Sequence, residues 1–500
     1  MSLHPYFVVS CARSGSTSLC TILDEASNGR CVSEPVPNLN RETRDVMDGR
    51  LKDTVAIVDR TVVPRVRAAL AQGGVYGEKN VTYAPFVRAL YERLGCRFVF
   101  LRRDGRDVVR SLINWHDGRF GSVYREAAET GTLTPEANSA AASLLVHRDD
   151  SDYSRPRPPQ DDPLYARWDE LGRAEMCAYY WSVINERYVD ELSRLPADAW
   201  MELDYSAVTP ERIASIAAFC GLTGLDLGRI QALLARRINS LEDRGSAAGR
   251  YPAWANWDGG MRRRFDAIAS GTMRRFEYYQ QAGAEWRPAR YGEWWKQHDG
   301  GEAWYRWMYD GRQAMHLDLL DWIAARERSG ERLDSVLDCG CGLGVGYADA
   351  LADRRYVGME LSERNVDWCR THRRNPRHEY VCADFITAPV KEQFDLVFSS
   401  GTLDNCYDID AALASMVRHS RKWIAATFYR GWFPDLAEHR YAWSDQHTCF
   451  YNDASPARLR RALEALGCRD ITIEPIVAGP GRRDTRFETR LVARVPEHGR

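Results

Sequence analysis

Two short stretches near the N-terminus and one near residue 340 place chemically useful residues close together. The run Cys11-Ala12-Arg13-Ser14-Gly15-Ser16-Thr17-Ser18 follows an apolar segment, residues 6–11, and precedes an amphipathic one. A strand entering a Gly/Ser turn and then a helix aims backbone N–H groups and a helix N-terminus at one point. That arrangement suits a phosphate or a sulfate. It is not a Walker loop, because no lysine stands before the Ser/Thr and Arg13 supplies the positive charge. Taken alone, the run reads equally as a tight turn capped by Ser or Thr. The second stretch is Arg102-Arg103-Asp104-Gly105-Arg106-Asp107-Val108-Val109-Arg110-Ser111, after the apolar residues 97–102. Arg103 at a strand end and Ser111, eight residues along a helix, can converge on a second phosphate.

The third constellation is Val336-Leu337-Asp338-Cys339-Gly340-Cys341-Gly342-Leu343-Gly344. Glycines at 340, 342 and 344 let a backbone approach a ligand closely, and an acid at the end of the next strand, Glu360, can hold ribose hydroxyls. Asp384 and Phe385 follow a third apolar segment, and Phe394-Asp395-Leu396-Val397-Phe398 forms a fourth. Cys339 and Cys341 lack a second Cys/His pair and read as small packing residues; no metal site is expected.

The first two stretches together resemble the sulfotransferase family that uses 3′-phosphoadenylyl sulfate (PAPS). The resemblance covers about residues 6–279 and includes Glu202-Leu203-Asp204-Tyr205, similar to the family's Tyr-Glu-Asp-Leu strand. It implies that Arg13, Ser14, Gly15, Ser16, Thr17 and Ser18 hold the 5′-phosphosulfate and that Arg103 and Ser111 hold the 3′-phosphate. Gly105 stands where the family has proline. Glu34, in Val32-Ser33-Glu34-Pro35, matches the Glu-Pro segment of carbohydrate-type members, where a glutamate is the proposed base. Lys79, in Gly77-Glu78-Lys79-Asn80, resembles a lysine that approaches the transferring group, although Asn80-Val81 replaces the family's Thr/Ser-Pro. Lysine occurs at only five positions in 500 residues, which singles Lys79 out. His116 is a second base candidate. A nucleotide kinase is disfavoured by the missing Walker lysine.

The third constellation resembles the class I S-adenosylmethionine (SAM) methyltransferase family over about residues 304–495. The resemblance implies that Asp338, Gly340, Gly342 and Gly344 hold the amino-acid end of SAM, Glu360 the ribose, and Asp384 with Phe385 the adenine. A nicotinamide dehydrogenase shares the glycine pattern, but the Asp384 motif and an expected terminal hairpin over 471–494 favour SAM. Residues 441–451 stand where an acceptor wall is expected. His439 and His447 are each structural or surface histidines before they are bases, so no base is assigned in this half.

These motifs need two parallel α/β scaffolds. Strands are expected at 6–11, 97–102 and 200–203 in the first half, and at 335–339, 356–360, 379–382, 394–399 and 423–427 in the second, with helices between. The predicted division is a P-loop-like sulfotransferase domain at 1–282, a tryptophan-rich junction at 283–301 and a Rossmann-like methyltransferase domain at 302–500. Residues 149–163, rich in Asp and Pro, are expected to form a mobile surface segment. Net charge is −2, so bulk electrostatics offer no case for nucleic acid. No apolar run reaches the roughly 18–20 residues of a transmembrane helix, and the first residues lack a secretory pattern. Thirteen scattered cysteines suit a reducing cytoplasm. The expected function is a bifunctional tailoring enzyme that sulfates and methylates a hydroxyl-bearing glycan or glycolipid. The alternatives are a small-molecule natural-product acceptor, or a C-terminal half that only binds.

Overall fold

A computed structural model of the chain describes residues 4–119, 155–236, 251–480, 482 and 484–497. The backbone of Gly105–Arg119 is helical, but the side chains of 116–119, His116 among them, lie outside the described residues. The chain forms two compact units. One holds Met1–Trp254 with Arg264–Tyr278, and the other holds Ala255–Arg263 with Tyr279–Arg500. The helix Gly259–Arg275 therefore contributes residues to both. The stretch 283–301 belongs to the second unit and contains the short helix Glu293–Gln297.

The first unit is built on a five-stranded sheet. Its strands are β1 (Tyr6–Val9), β2 (Gly29–Ser33), β3 (Val75–Asn80), β4 (Arg97–Arg102) and β5 (Trp200–Asp204), in the order β2-β3-β1-β4-β5. Every pairing is parallel. Such a sheet must be covered on both faces, and the fully buried Tyr-Phe-Val-Val of β1 meets that demand at its centre. Three helices matter for the site: α1 (Ser16–Leu23), α2 (Gly105–Arg119) and α3 (Arg173–Leu192). One face of α3 is a buried aromatic stripe that includes Tyr180, Trp181 and Tyr188. Of the expected 149–163 segment, 149–154 lie outside the described residues. In the remainder Arg155, Pro156 and Pro158 are buried, while Arg157, Gln160, Asp161 and Pro163 are exposed.

The second unit carries a seven-stranded sheet made of β6 (Ser335–Cys339), β7 (Arg355–Glu360), β8 (His378–Cys382), β9 (Phe394–Ser400), β10 (Ser420–Phe428), β13 (Arg469–Val477) and β14 (Phe487–Arg494). A two-residue ladder, β11 (Trp443–Ser444) with β12 (Cys449–Phe450), stands apart from it. The sheet order is β13-β14-β10-β9-β6-β7-β8. Numbered from β6, this is 3-2-1-4-5-7-6: a doubly wound sheet with one antiparallel strand inserted beside its fifth. The expected terminal hairpin supplies that strand. Successive residues face opposite helical layers, as the period of two requires. Val336, Leu396 and Ala425 enter one core, and Leu337, Val397 and Ile424 enter the other. Two helices, α4 (Gly301–Gly311) and α5 (Gln313–Arg328), precede β6.

Candidate functional site

In the first unit the expected residues gather at the carboxyl edge of the sheet. Adjacent parallel strands β1 and β4 end in the 10–15 loop and in Arg103, so the loop and the arginine are neighbours. Arg13 Nε donates to Ser111 Oγ at 3.1 Å, and Arg103 Nη1 donates to the Arg13 carbonyl at 3.2 Å. Arg13, Arg103 and Ser111 thus converge, 98 residues apart at the extremes. Arg103 Nε is buried without a hydrogen-bond partner, a donor left for an anion. Ser14 is fully buried, with its hydroxyl 3.0 Å from Cys11 Sγ. Gly15, at φ 95°, caps α1, whose first turn is Ser16, Thr17 and Ser18. A side chain at Gly15 would run into the Tyr205 ring. That ring in turn lies 4.5 Å from the Arg103 guanidinium, while Arg13 stacks on Trp115 at 4.0 Å.

Glu34 and Lys79 come from the neighbouring strands β2 and β3, where Ser33 is registered opposite Lys79. The Lys79 ammonium, almost fully buried, donates to Glu34 Oε1 at 2.5 Å, and the Glu34 amide donates to the Lys79 carbonyl at 2.8 Å. Glu34 keeps 44% of its side chain exposed. The two residues picked from sequence for proton and charge handling are therefore one ion pair with a solvent-facing carboxylate.

Sequence reasoning passed over the aromatic walls. Tyr180, on α3, accepts the Ala12 amide at 2.8 Å and stacks with Arg155 at 4.6 Å. Trp181 donates to the Arg103 carbonyl at 3.0 Å. Both lie in an ordinary-looking apolar helix; the doubled aromatics of Tyr179-Tyr180-Trp181 were the only signal.

In the second unit, Asp338 sits in β6, almost fully buried, and accepts the Tyr356 hydroxyl at 2.6 Å. Burial pushes its carboxyl up to about 7 against that bond. The loop that follows turns on Gly340, Gly342, Gly344 and Gly346, each in the left-handed region. Glu360 binds this loop directly: its two oxygens accept the amides of Gly342 at 2.9 Å and Ser362 at 3.0 Å. Asp384 accepts the Ile386 amide on one oxygen, and the Tyr407 hydroxyl (3.0 Å) and Arg287 (3.3 Å) on the other. Phe385 is buried in the core beside Ile386.

An aromatic cover lies over the glycine loop. The Tyr305 ring occupies the space a side chain on Gly342 would need, and the Tyr309 ring does the same at Gly346. Trp304 abuts Tyr305, and Trp294 stacks on His298 at 4.1 Å. Trp294 and Trp295, two of the three tryptophans in 283–301, belong to this cluster, whereas Trp286 packs on Trp257 and Tyr279. His439 is fully buried, accepts the Ser455 amide at 3.0 Å and sits 3.5 Å from Asp410, a structural arrangement. His447 bonds the Tyr451 hydroxyl at 2.7 Å. At the carboxyl ends of β9 and β10, Ser400 Oγ lies 2.9 Å from both His316 Nδ1 and Thr427 Oγ1, and Tyr347 reaches the same imidazole at 3.0 Å. Burial drives the His316 pKa down to about 3, so the ring is neutral.

Residues 337–422 match the family model described as a methyltransferase domain. A methyltransferase domain therefore occupies that part of the second unit. Similar solved structures include the N-methyltransferase NodS from Bradyrhizobium japonicum WM9, in complex with S-adenosyl-L-homocysteine (15% identity, covering 42% of this chain and 100% of that one, TM-score 0.30). Another is the 1,6-didemethyltoxoflavin-N1-methyltransferase of Burkholderia thailandensis (18% identity, 40% and 83% coverage, TM-score 0.32). A third is magnesium protoporphyrin IX methyltransferase from Synechocystis PCC 6803 with bound SAM (14% identity, 44% and 94% coverage, TM-score 0.29). No curated protein matches the chain. Among the described residues no helix is long and apolar enough to cross a membrane.

Proposed function

We propose that the chain is a bifunctional transferase: its second unit methylates an acceptor from SAM, and its first unit sulfates an acceptor hydroxyl from PAPS, the acceptor being a glycan or glycolipid. For the second unit the carrying observation is the methyltransferase-domain match at 337–422, laid over a glycine loop held by the Glu360 carboxylate. For the first it is the convergence of Arg13, Arg103 and Ser111 at the ends of adjacent strands.

The residues suit both donors. Arg103 offers a buried, unused N–H to an anion, and the α1 N-terminus adds backbone donors. Asp338, Glu360 and Asp384 are three carboxyl groups spaced along the ends of β6, β7 and β8, which suits an ammonium, a diol and an exocyclic amine in that order. Bound PAPS would supply an activated sulfuryl group and bound SAM an electrophilic methyl group. The 10–18 loop with Arg103 and Ser111 would hold the phosphates. Glu34, half in solvent, would take the proton from the acceptor hydroxyl. Lys79 fixes that carboxylate in place and carries positive charge to the edge where negative charge develops.

The test is calorimetric titration of the full chain with 3′-phosphoadenosine 5′-phosphate (PAP) and with S-adenosylhomocysteine (SAH), followed by turnover with labelled PAPS and SAM on extracted glycans. Binding of each at one site per chain supports both assignments. A chain that ignores PAP loses the first, and one that ignores SAH loses the second.

A further inference from the structure

Arg312 lies at the break between α4 and α5 and is half-buried. Its guanidinium carbon sits 3.6 Å from the centre of the Tyr429 ring, immediately past β10. Its Nη1 packs over Gly401, immediately past β9. The platform is fixed, because the Tyr429 hydroxyl exchanges hydrogen bonds with the Asn405 side chain at 3.2 and 3.3 Å. Four residues along, a turn of α5 brings His316 to Ser400 and, through it, Thr427.

Among the described residues Arg312 makes no side-chain hydrogen bond and no ion pair. The carboxylates within electrostatic reach make their hydrogen bonds and ion pairs elsewhere, although the second oxygen of Glu488 is buried without a partner. Asp404 caps the Tyr429 and Arg430 amides at 3.2 and 2.9 Å. Glu488 Oε1 pairs with Arg482 Nη1 at 2.6 Å, and Asp484 pairs with the same arginine at 2.8 Å. A guanidinium stacked flat on a phenol ring keeps its N–H edge free, and that edge matches a carboxylate, sulfate or phosphate. Ligands of a doubly wound sheet bind where the strand order reverses, here between β6 and β9, so Gly401, just past β9, stands at the rim of that crevice. The hydrogen-bonded groups beside Arg312 (His316, Ser400, Thr427 and Tyr347) are uncharged and so do not compete for its charge.

We propose that Arg312 grips an oxyanion on the methyl acceptor, so that the second unit acts on an anionic substrate: a carboxylic acid or a sulfate or phosphate ester. This rests on reading that unit as a methyltransferase. His316 and Ser400 then line the acceptor's uncharged side, and Tyr429 supplies an apolar wall.

The full chain, saturated with SAH and with PAP so that both donor sites are filled, is titrated calorimetrically with benzoate, phenyl sulfate, phenyl phosphate and phenol. At least one anion is expected to bind about tenfold or more tightly than phenol, the size of a charge-assisted contact. Which of the three binds best separates a carboxylate acceptor from an ester. Arg312→Gln is expected to remove that preference, and Arg312→Lys to keep part of it, with SAH affinity unchanged in both. Equal binding of the anions and phenol to the native chain, or an anion preference that survives Arg312→Gln, overturns the proposal. A native chain that does not bind SAH overturns the methyltransferase reading itself, an outcome visible before any anion is added.

Discussion

Arg13 and Glu34 hold their backbones at φ 69° and 46°, where side chains are costly. Such strain, about 1–3 kcal/mol per residue, persists where the surroundings enforce it. These are two of six such non-glycine residues among those described, and both were picked from the sequence for chemistry. If they bind and react, Arg13→Ala and Arg103→Ala should each weaken PAP binding by roughly tenfold or more, the loss of one charge-assisted contact. SAH titration of the same variants should be unchanged. Glu34→Gln should leave PAP affinity in place and lower sulfuryl turnover by about 10²–10⁴, the range for a lost general base; a near-native rate would return the role to another group. Asp338 gives a pH prediction. Its carboxyl rises to about 7 in the folded state, so between the unfolded value of about 4 and pH 7 the folded protein holds a proton that the unfolded chain has released. Stability from this group is present at acid pH and is lost as pH rises through about 7, by up to roughly 4 kcal/mol. Thermal unfolding from pH 5 to 8 should show the native chain falling relative to Asp338→Asn, which carries no buried charge. A constant difference would mean that the carboxyl ionises normally.

Among the elements, the strands written in continuous apolar letters were legible: β4 and β6 fall where the sequence places them, and β7 to β10 differ by a few residues at their ends. β2 and β3 were not. β3, between β1 and β2, reads Val-Tyr-Gly-Glu-Lys-Asn, and two of its buried polar residues, Glu78 and Lys79, are paired with charged side chains outside the strand. Arg65 grips Glu78 at 2.8 and 3.0 Å, and Glu34 takes Lys79. No periodicity reveals a strand whose burial is arranged by such pairs. The same limit applies at the site. The loops and acids announced themselves by spacing, whereas Tyr180, Trp181, Tyr305 and His316 are placed by tertiary packing. Gly105 shows packing explaining a departure from pattern: a Cβ there would come 2.8 Å from the Trp181 ring. Gly105→Ala, although a better helix former, should destabilise the protein by about 1–3 kcal/mol through overpacking, measured by chemical denaturation. Arg262 is the counterpart in the second unit. Nearly fully buried, it stacks on Tyr441 at 3.6 Å and donates to the carbonyls of Tyr407, Trp257 and Ala255. Arg262→Ala should cost about 3 kcal/mol or more by stranding those acceptors.

For the whole molecule, two units with separate cores imply that each ligand stabilises its own. A ligand at a hundred times its dissociation constant adds about 2.7 kcal/mol to the state that binds it. Scanning calorimetry should show PAP raising one transition and SAH the other. A single transition moved equally by both would mean that the units melt as one.

The path of the backbone adds a constraint of a different kind. It leaves the first unit after Trp254, returns at Arg264 and leaves again after Tyr278. No single cut can deliver both units whole. A break before 255 strips the first of Arg264–Tyr278, and one after 278 strips the second of Trp257 and Arg262. Ordinary fused enzymes can be split into two genes at a linker and later recombined with other partners. This chain offers no such seam, so its two units are made, inherited and destroyed in a fixed one-to-one ratio.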